Sequence, residues 1–228
     1  MNDVSDFTFS HNSAIDASIK DMLPHFSEES QRRMRKAIRD AAKSAQTHGD
    51  ENTDAGARHV FREFIPACFL NQHGFAFEYE KRLQRKRPDW LDESSLLLLD
   101  SYTFERGGTS SLLDRLTSVA AEKCNRYQDI ITAHSLRFIL SVHLDFYTCI
   151  SLDECREDAK TFQTLFDVNR ELWAIVFFTE THFDANGQYY GFLCLSADSA
   201  FRSFTAWPFD TINLDELNAK TPPNTGST

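Results

Sequence analysis

Acidic side chains stand at the ends of three segments in the first half of the chain. Glu80 is the last residue of the alternating segment GFAFEYE, Asp89 lies near the start of PDWL, and Asp100 follows a run of four leucines. Adjacent β-strands lie about 4.8 Å apart, so acids at matching strand ends can reach one divalent cation. Mg²⁺ or Mn²⁺ bound there could orient a phosphate and lower the pKa of a bound water. Each acid also has a structural explanation, as a turn cap or as the end of a strand.

Two groups of cations could bind a polyanion. Five fall within residues 81–87, namely Lys81, Arg82, Arg85, Lys86 and Arg87. A basic loop beside an acidic metal cluster suits a nucleic-acid substrate, although a solvated turn is the commoner role of such a loop. Six more lie on the polar face of the amphipathic segment 29–45, namely Arg32, Arg33, Arg35, Lys36, Arg39 and Lys43. That face either contacts nucleic acid or is solvated.

The segment GFAFEYEKRLQRKRPDWLDESSLLLLDSYTF (74–104) resembles the core of the PD-(D/E)XK nuclease superfamily. The shared features are a strand that ends in Tyr-Glu, a basic turn, Pro-Asp-Trp, and an apolar strand that ends in an acid. The resemblance continues weakly through a helix and the strand 136–144, and covers about 57–145. It implies an α-β-β-β-α-β core with a metal-dependent phosphodiesterase site.

The resemblance also implies roles for individual acids. The Asp of the motif falls on Asp89 and the second acid on Asp100. Glu80 occupies a strand position that other members use, and the helix-borne acid of many members could fall on Glu63. The metal ligands implied are therefore Glu80, Asp89 and Asp100, with Mg²⁺ or Mn²⁺ as the cofactor.

The lysine of the motif is replaced. Its position, two residues beyond the second acid, falls on Tyr102, and a phenol with a pKa near 10 cannot supply the same positive charge. Some relatives move this lysine to a neighbouring helix, and Lys123 is the candidate for that role. Others have lost catalysis and kept the fold. The two resulting hypotheses are a metal-dependent nucleic-acid endonuclease and a catalytically inactive nuclease-like module that binds nucleic acid or a protein partner.

The hydrophobic periodicity predicts the elements that would position these residues. Helices are expected at 29–45, 54–71, 111–133 and 152–165, and strands at 74–80, 88–91, 95–104 and 136–144, with a hairpin from 172–179 to 188–196. The fold class is α/β, with a mixed central sheet flanked by helices. We expect an N-terminal arm, irregular over 1–28, and an amphipathic helix within 1–53, a nuclease-like domain over 54–217 and a disordered tail over 218–228.

Composition limits the class of protein. The 228 residues are 41% hydrophobic and 25% charged, which argues against disorder and against a disulfide scaffold. A net charge of −10 disfavours coating nucleic acid by bulk charge, although a local basic patch remains possible. Five cysteines without a C-x-x-C motif indicate reduced core residues. Without a membrane-length apolar run or a basic and hydrophobic N-terminus, we expect a cytoplasmic protein with no membrane partner.

Overall fold

In this computed structural model the described residues are 13–47, 55–104, 111–144, 151–184, 187–198 and 207–219. The helices are α1 (Ser13–Met22), α2 (Glu28–Thr47), α3 (Ala55–Gln72), α4 (Leu112–His134), α5 (Leu152–Glu157), α6 (Gln163–Val168) and α7 (Leu214–Ala219). The strands are β1 (Glu78–Tyr79), β2 (Trp90–Asp92), β3 (Leu97–Phe104), β4 (Arg137–Leu144), β5 (Leu172–Asp184), β6 (Gly187–Ser196) and β7 (Thr211–Asn213). Parallel and antiparallel strand pairs both occur, which confirms the predicted mixed α/β class.

Contacts divide the chain into two compact units, Met1–Thr103 and Phe104–Thr228. The sequence instead suggested an arm and helix over 1–53, a domain over 54–217 and a tail over 218–228, and that division stays a prediction. Along the chain, α3, β1, β2, β3, α4 and β4 follow the α-β-β-β-α-β order that the nuclease resemblance implies. Residues 220–228 lie outside the described ranges.

In the first unit, β1, β2 and β3 pair antiparallel in chain order, and α2 packs on both α3 and β1. Trp90 lies at the centre of an aromatic core. Its ring contacts Phe26 at 5.0 Å and Tyr79 at 4.9 Å between centroids, and its indole N–H donates to the carbonyl of Glu63 at 2.8 Å. This cluster joins α3, β1 and β2 to the chain before α2. It therefore fixes the positions of β1 and β2 relative to α3.

The prediction of an irregular arm over 1–28 is wrong for residues 13–28, the part that the structure describes. Residues 13–22 form α1, and a 3₁₀ turn at Leu23–His25 leads into α2. Ile19, Met22 and Leu23 are buried, and Phe26 stacks on Trp90. The helix is short and is held by these contacts, so its local pattern was too weak to predict it.

The strand expected over 74–80 is shorter than predicted. Burial alternates as expected, since Phe77 and Tyr79 are buried and Ala76 is exposed. Ladder pairing is limited to Glu78–Tyr79, because the N–H of Ala76 donates to Asp92 at 2.9 Å and that of Phe77 to Asn71 at 2.8 Å. β2 and β3 each begin two residues later than predicted.

In the second unit, β4 pairs parallel with β5, β5 antiparallel with β6, and β6 parallel with β7. The predicted strand 136–144 and both hairpin strands are confirmed. The predicted helix 111–133 is confirmed as α4, which packs on β4. It begins after Ser111, whose hydroxyl accepts the N–H of Asp114 at 3.1 Å.

The single helix expected over 152–165 is wrong. The chain forms α5, a 3₁₀ turn at Ala159–Phe162, and then α6. The carbonyl of Asp158 accepts both the N–H and the hydroxyl of Thr161, at 2.8 and 2.7 Å, which tightens the backbone there. The sequence did not predict β7 and α7, whose segments of three and six residues are too short for a clear period.

Four cysteines are buried free thiols, namely Cys68, Cys124, Cys155 and Cys194, while Cys149 lies outside the described residues. Among the helices in the described ranges, none combines the length and the apolar character that crossing a membrane requires.

Candidate nucleic-acid interface

Strand pairing brings the three acids predicted as metal ligands to adjoining positions in the first unit. The register that pairs Trp90 with Leu99, continued by one residue, sets Asp89 beside Asp100. The N–H of Glu80 donates to the carbonyl of Asp89 at 2.8 Å. The backbone therefore places the three acids side by side where β1 ends and β2 begins, with Asp100 inside β3.

The side chains at this strand end are already engaged. Oδ2 of Asp89 accepts the N–H of Ser101 at 2.8 Å, and Asp100 is fully buried. Within the described parts of the chain, no group of three or more His, Cys, Asp or Glu side chains could hold a metal ion. The half-buried Tyr102 stands where the motif has its lysine. As they stand, these side chains do not fit Mg²⁺ or Mn²⁺, which needs several converging oxygen ligands.

A buried phenol lies among carboxylates close to this strand end. The hydroxyl of Tyr79 donates to Oε2 of Glu63 at 3.4 Å. Burial, together with the negative charges of Glu63, Glu80 and Asp89, raises the pKa of Tyr79 well above its usual value. The phenol is therefore a neutral hydrogen-bond donor at physiological pH. The helix-borne acid and two of the strand acids thus lie around a neutral group.

A groove of about 720 Å³ runs along α2 and includes Glu80 and Arg87 from the segment between β1 and β2. We call it the basic groove. Six cations and three carboxylates line it, in a chain whose net charge is −10. The α2 side chains that line it are Glu29, Arg32, Arg33, Lys36, Ala37, Arg39, Asp40 and Lys43.

The periodicity of α2 explains why these cations share one face. Arg32, Lys36, Arg39 and Lys43 follow one another at intervals of four, three and four residues, which places them in a stripe along the helix. Neighbours in such a stripe are about 5–6 Å apart between Cβ atoms, and the stripe extends about 16 Å. Residues buried on the core side, such as Met34, hold this stripe outward.

Side chains of α2 attach the basic groove to β1. Arg33 donates to the carbonyl of Tyr79 at 2.9 Å, and the hydroxyl of Ser30 accepts the N–H of Tyr79 at 3.0 Å. The next residue is Glu80, whose φ of 46° lies in the left-handed region. The two bonds therefore fix the cation stripe next to the turn that carries one of the predicted metal ligands.

Carboxylates on α2 pair with cations of the basic groove. Glu29 contacts Arg32 and Asp40 contacts Lys36, each at 2.6 Å. The hydrogen bond from Arg32 lowers the pKa of Glu29, and that from Lys36 lowers the pKa of Asp40. Both acids are therefore ionised at neutral pH, and a phosphate would compete with them for the same cations.

The five cations of the 81–87 loop have different surroundings. Arg87 lines the basic groove. Lys81 is held by two carboxylates at 2.6 and 2.8 Å. Arg82 and Arg85 are exposed, and neither side chain pairs with another described residue. Lys86 is half-buried and closes the turn through its backbone.

The sequence predicts the α2 cations only as a basic face that either contacts nucleic acid or is solvated. Their regular spacing was visible in the sequence, but their position beside Glu80 depends on how α2 packs on β1. The predicted activating residue Lys123 lies half-buried on α4, in the second unit. Comparisons with protein-family models, curated proteins and solved structures find no match to this chain.

Proposed function

We propose that the chain binds the phosphate backbone of nucleic acid through the basic groove. In this proposal the chain has a nuclease-like fold that has lost catalysis. The observation that carries this proposal is the concentration of six cations in one groove of an otherwise acidic protein. Such a local field attracts a polyanion that the rest of the surface repels. The replacement of the motif lysine by Tyr102 supports binding without cleavage.

The lining favours recognition of phosphates over recognition of bases. Among the described residues, the basic groove has no aromatic side chain on which an unpaired base could stack. Its regularly spaced arginines and lysines suit successive phosphates, and guanidinium groups can bond to phosphate oxygens in pairs. Binding that depends on phosphate neutralisation weakens steeply as salt is raised.

The proposal is tested with a labelled DNA duplex and fluorescence anisotropy between about 50 and about 200 mM KCl. Lys36→Gln combined with Arg39→Gln should weaken binding and reduce the salt slope by up to about two counterions. The matched control removes two exposed cations of the second unit, Arg126→Gln with Lys160→Gln, and should leave the slope unchanged.

A complementary pair of variants uses the carboxylates of the groove. Glu29→Gln with Asp40→Asn should raise the affinity, because phosphates would no longer compete with these acids for Arg32 and Lys36. Failure of the parent to bind at the lowest salt, or equal slopes in the groove and control variants, would reject the proposal. A protein partner would then be the remaining use of the inactive fold.

Metal-dependent cleavage of nucleic acid is the second candidate. The observation that favours it is that Glu80 both lines the basic groove and bonds to Asp89, so a phosphate held in the groove would lie near the acids. Mg²⁺ or Mn²⁺ would be the cofactor. Asp89→Asn and Asp100→Asn should then weaken Mn²⁺ binding in calorimetry without lowering the melting temperature of the metal-free protein.

A cleavage assay with Mn²⁺ separates the two candidates. If Lys123 activates the attacking water, Lys123→Ala should abolish turnover and spare substrate binding, and Tyr102→Lys should restore activity in that background. Cleavage that survives Lys123→Ala would exclude that role for the lysine. Binding without cleavage by the parent and both variants would support the inactive module.

A further inference from the structure

The second unit contains a cleft of about 520 Å³, a size within the range of about 300–1,000 Å³ that is typical of small-molecule sites. It lies where β4 and β5 begin, where β6 ends, and where the carboxyl ends of α4 and α6 lie. Its wall is mostly apolar and includes Phe166 and Trp173. Four charged side chains interrupt that wall, and nothing in the proposed nucleic-acid function uses them.

The polar part of the wall is held in place by Trp173. This residue is only 8% exposed, and its indole N–H donates to Oδ2 of Asp198 at 2.9 Å. The guanidinium of Arg137 lies over the same ring, 5.3 Å from the centroid. One cation and one carboxylate are therefore oriented by a single buried aromatic group, which is the preorganisation that a binding site needs.

The second cation and carboxylate have unused capacity for hydrogen bonds. Arg170 is exposed, and its guanidinium makes no hydrogen bond or ion pair with another described residue. Glu171 accepts one hydrogen bond, from Gln128 at 3.3 Å, whereas an ionised carboxylate offers about four acceptor sites. The cleft thus combines two guanidinium groups with two carboxylates on an apolar wall.

This balance of charge decides the kind of ligand. A simple anion would meet two carboxylates, and a simple cation would meet two guanidinium groups, so each would be repelled as well as attracted. A small zwitterion can satisfy both signs, and an apolar side chain would add contact with the apolar wall. We propose that this cleft binds a free apolar α-amino acid or an apolar dipeptide.

In the bound complex the ligand carboxylate pairs with Arg137 and Arg170, and the ligand ammonium pairs with Glu171 and Asp198. The apolar side chain packs against Phe166. This site is independent of the basic groove, so either proposal can fail while the other stands.

Calorimetry on the full chain tests the proposal with phenylalanine and leucylphenylalanine as probes. At least one of them should bind saturably. N-acetylation, which removes the ammonium charge, and amidation, which removes the carboxylate charge, should each weaken binding by about tenfold or more. No saturable binding of either zwitterion, or equal binding of the blocked forms, would overturn the proposal.

Two variants assign the binding to this cleft. Arg170→Gln removes an exposed guanidinium, and Asp198→Asn removes a charge while an amide oxygen can still accept the N–H of Trp173. Each should weaken binding about tenfold with an unchanged melting temperature, whereas the control Lys160→Gln, outside the cleft, should bind as the parent does. Unchanged binding in both cleft variants would show that the zwitterion binds elsewhere and would refute the site.

Discussion

Replacing Asp92 by asparagine tests what holds the end of β2 that lies opposite to Asp89. Asp92 is fully buried at the end of β2, and its carboxylate accepts four hydrogen bonds. One oxygen accepts the N–H of Ala76 at 2.9 Å, and the other accepts the hydroxyl and N–H of Ser94 and the N–H of Ser95, at 2.6 to 3.0 Å. Because every partner is a donor, an amide group cannot satisfy them all, since its NH₂ must face one of them.

The magnitude follows from these bonds. If the amide oxygen keeps the Ser94 side, the bond to Ala76 is lost and the three others lose the assistance of the charge. Hydrogen bonds to charged groups contribute about 1.5–3 kcal/mol each and neutral ones about 0.5–1.5 kcal/mol. We therefore expect the free energy of unfolding in urea to fall by about 3 kcal/mol. The control Glu93→Gln, at the exposed next residue, should cost below about 1 kcal/mol.

The pH dependence of stability shows whether Asp92 stabilises the fold through its charge or only through packing. Burial acts to raise the pKa of Asp92, but the bonds from Ser94, Ala76 and Ser95 outweigh it and lower the pKa. Its contribution to stability is therefore present above the unfolded pKa of about 3.9 and is lost as the pH falls through the lower native pKa. The deficit of Asp92→Asn should shrink in acid. A deficit below about 0.5 kcal/mol at neutral pH, or one that is unchanged in acid, would refute this reasoning.

Three further outcomes are expected. Trp90→Ala removes the side chain at the centre of the aromatic core of the first unit and should lower the free energy of unfolding in urea by about 3–5 kcal/mol. Ser111→Ala removes the hydroxyl that accepts the Asp114 N–H and should cost about 1 kcal/mol in the same measurement. At mildly alkaline pH a thiol reagent should label at most one of the five cysteines before unfolding, and labelling of two or more would contradict the structure. The reason is that burial raises the pKa of four thiols to about 12, those of Cys68, Cys124, Cys155 and Cys194.

Elements with a strong period of their own were predictable from sequence. α3 was expected at 54–71 and spans 55–72, and β4 was expected at 136–144 and spans 137–144. The wrong predictions concern elements whose secondary structure depends on tertiary contacts. α1 depends on buried contacts of residues such as Ile19, and the expected helix 152–165 is interrupted where Thr161 bonds back to the carbonyl of Asp158.

For the candidate site, the sequence predicted the positions of the acids but not the contacts of their side chains. Acids at strand ends indicated that Glu80, Asp89 and Asp100 would lie at adjoining positions, because strand register controls that placement. The bond from the Ser101 N–H to Asp89 could not be foreseen, since it depends on side-chain orientation at a single step of the ladder. The basic groove needed the packing of α2 on β1, which connects residues 46 positions apart.

The bonds between the helices and β1 also determine how another chain can approach this unit. Among the described residues β1 pairs only with β2, so the outward N–H and C=O groups of Phe77 and Tyr79 form an open edge. The side chain of Asn71 bonds both groups of Phe77, while Ser30 and Arg33 bond those of Tyr79. An open edge is a template for strand addition and aggregation. Here the N–H and C=O groups of Phe77 and Tyr79 are bonded within the unit, so another strand cannot extend the sheet at β1.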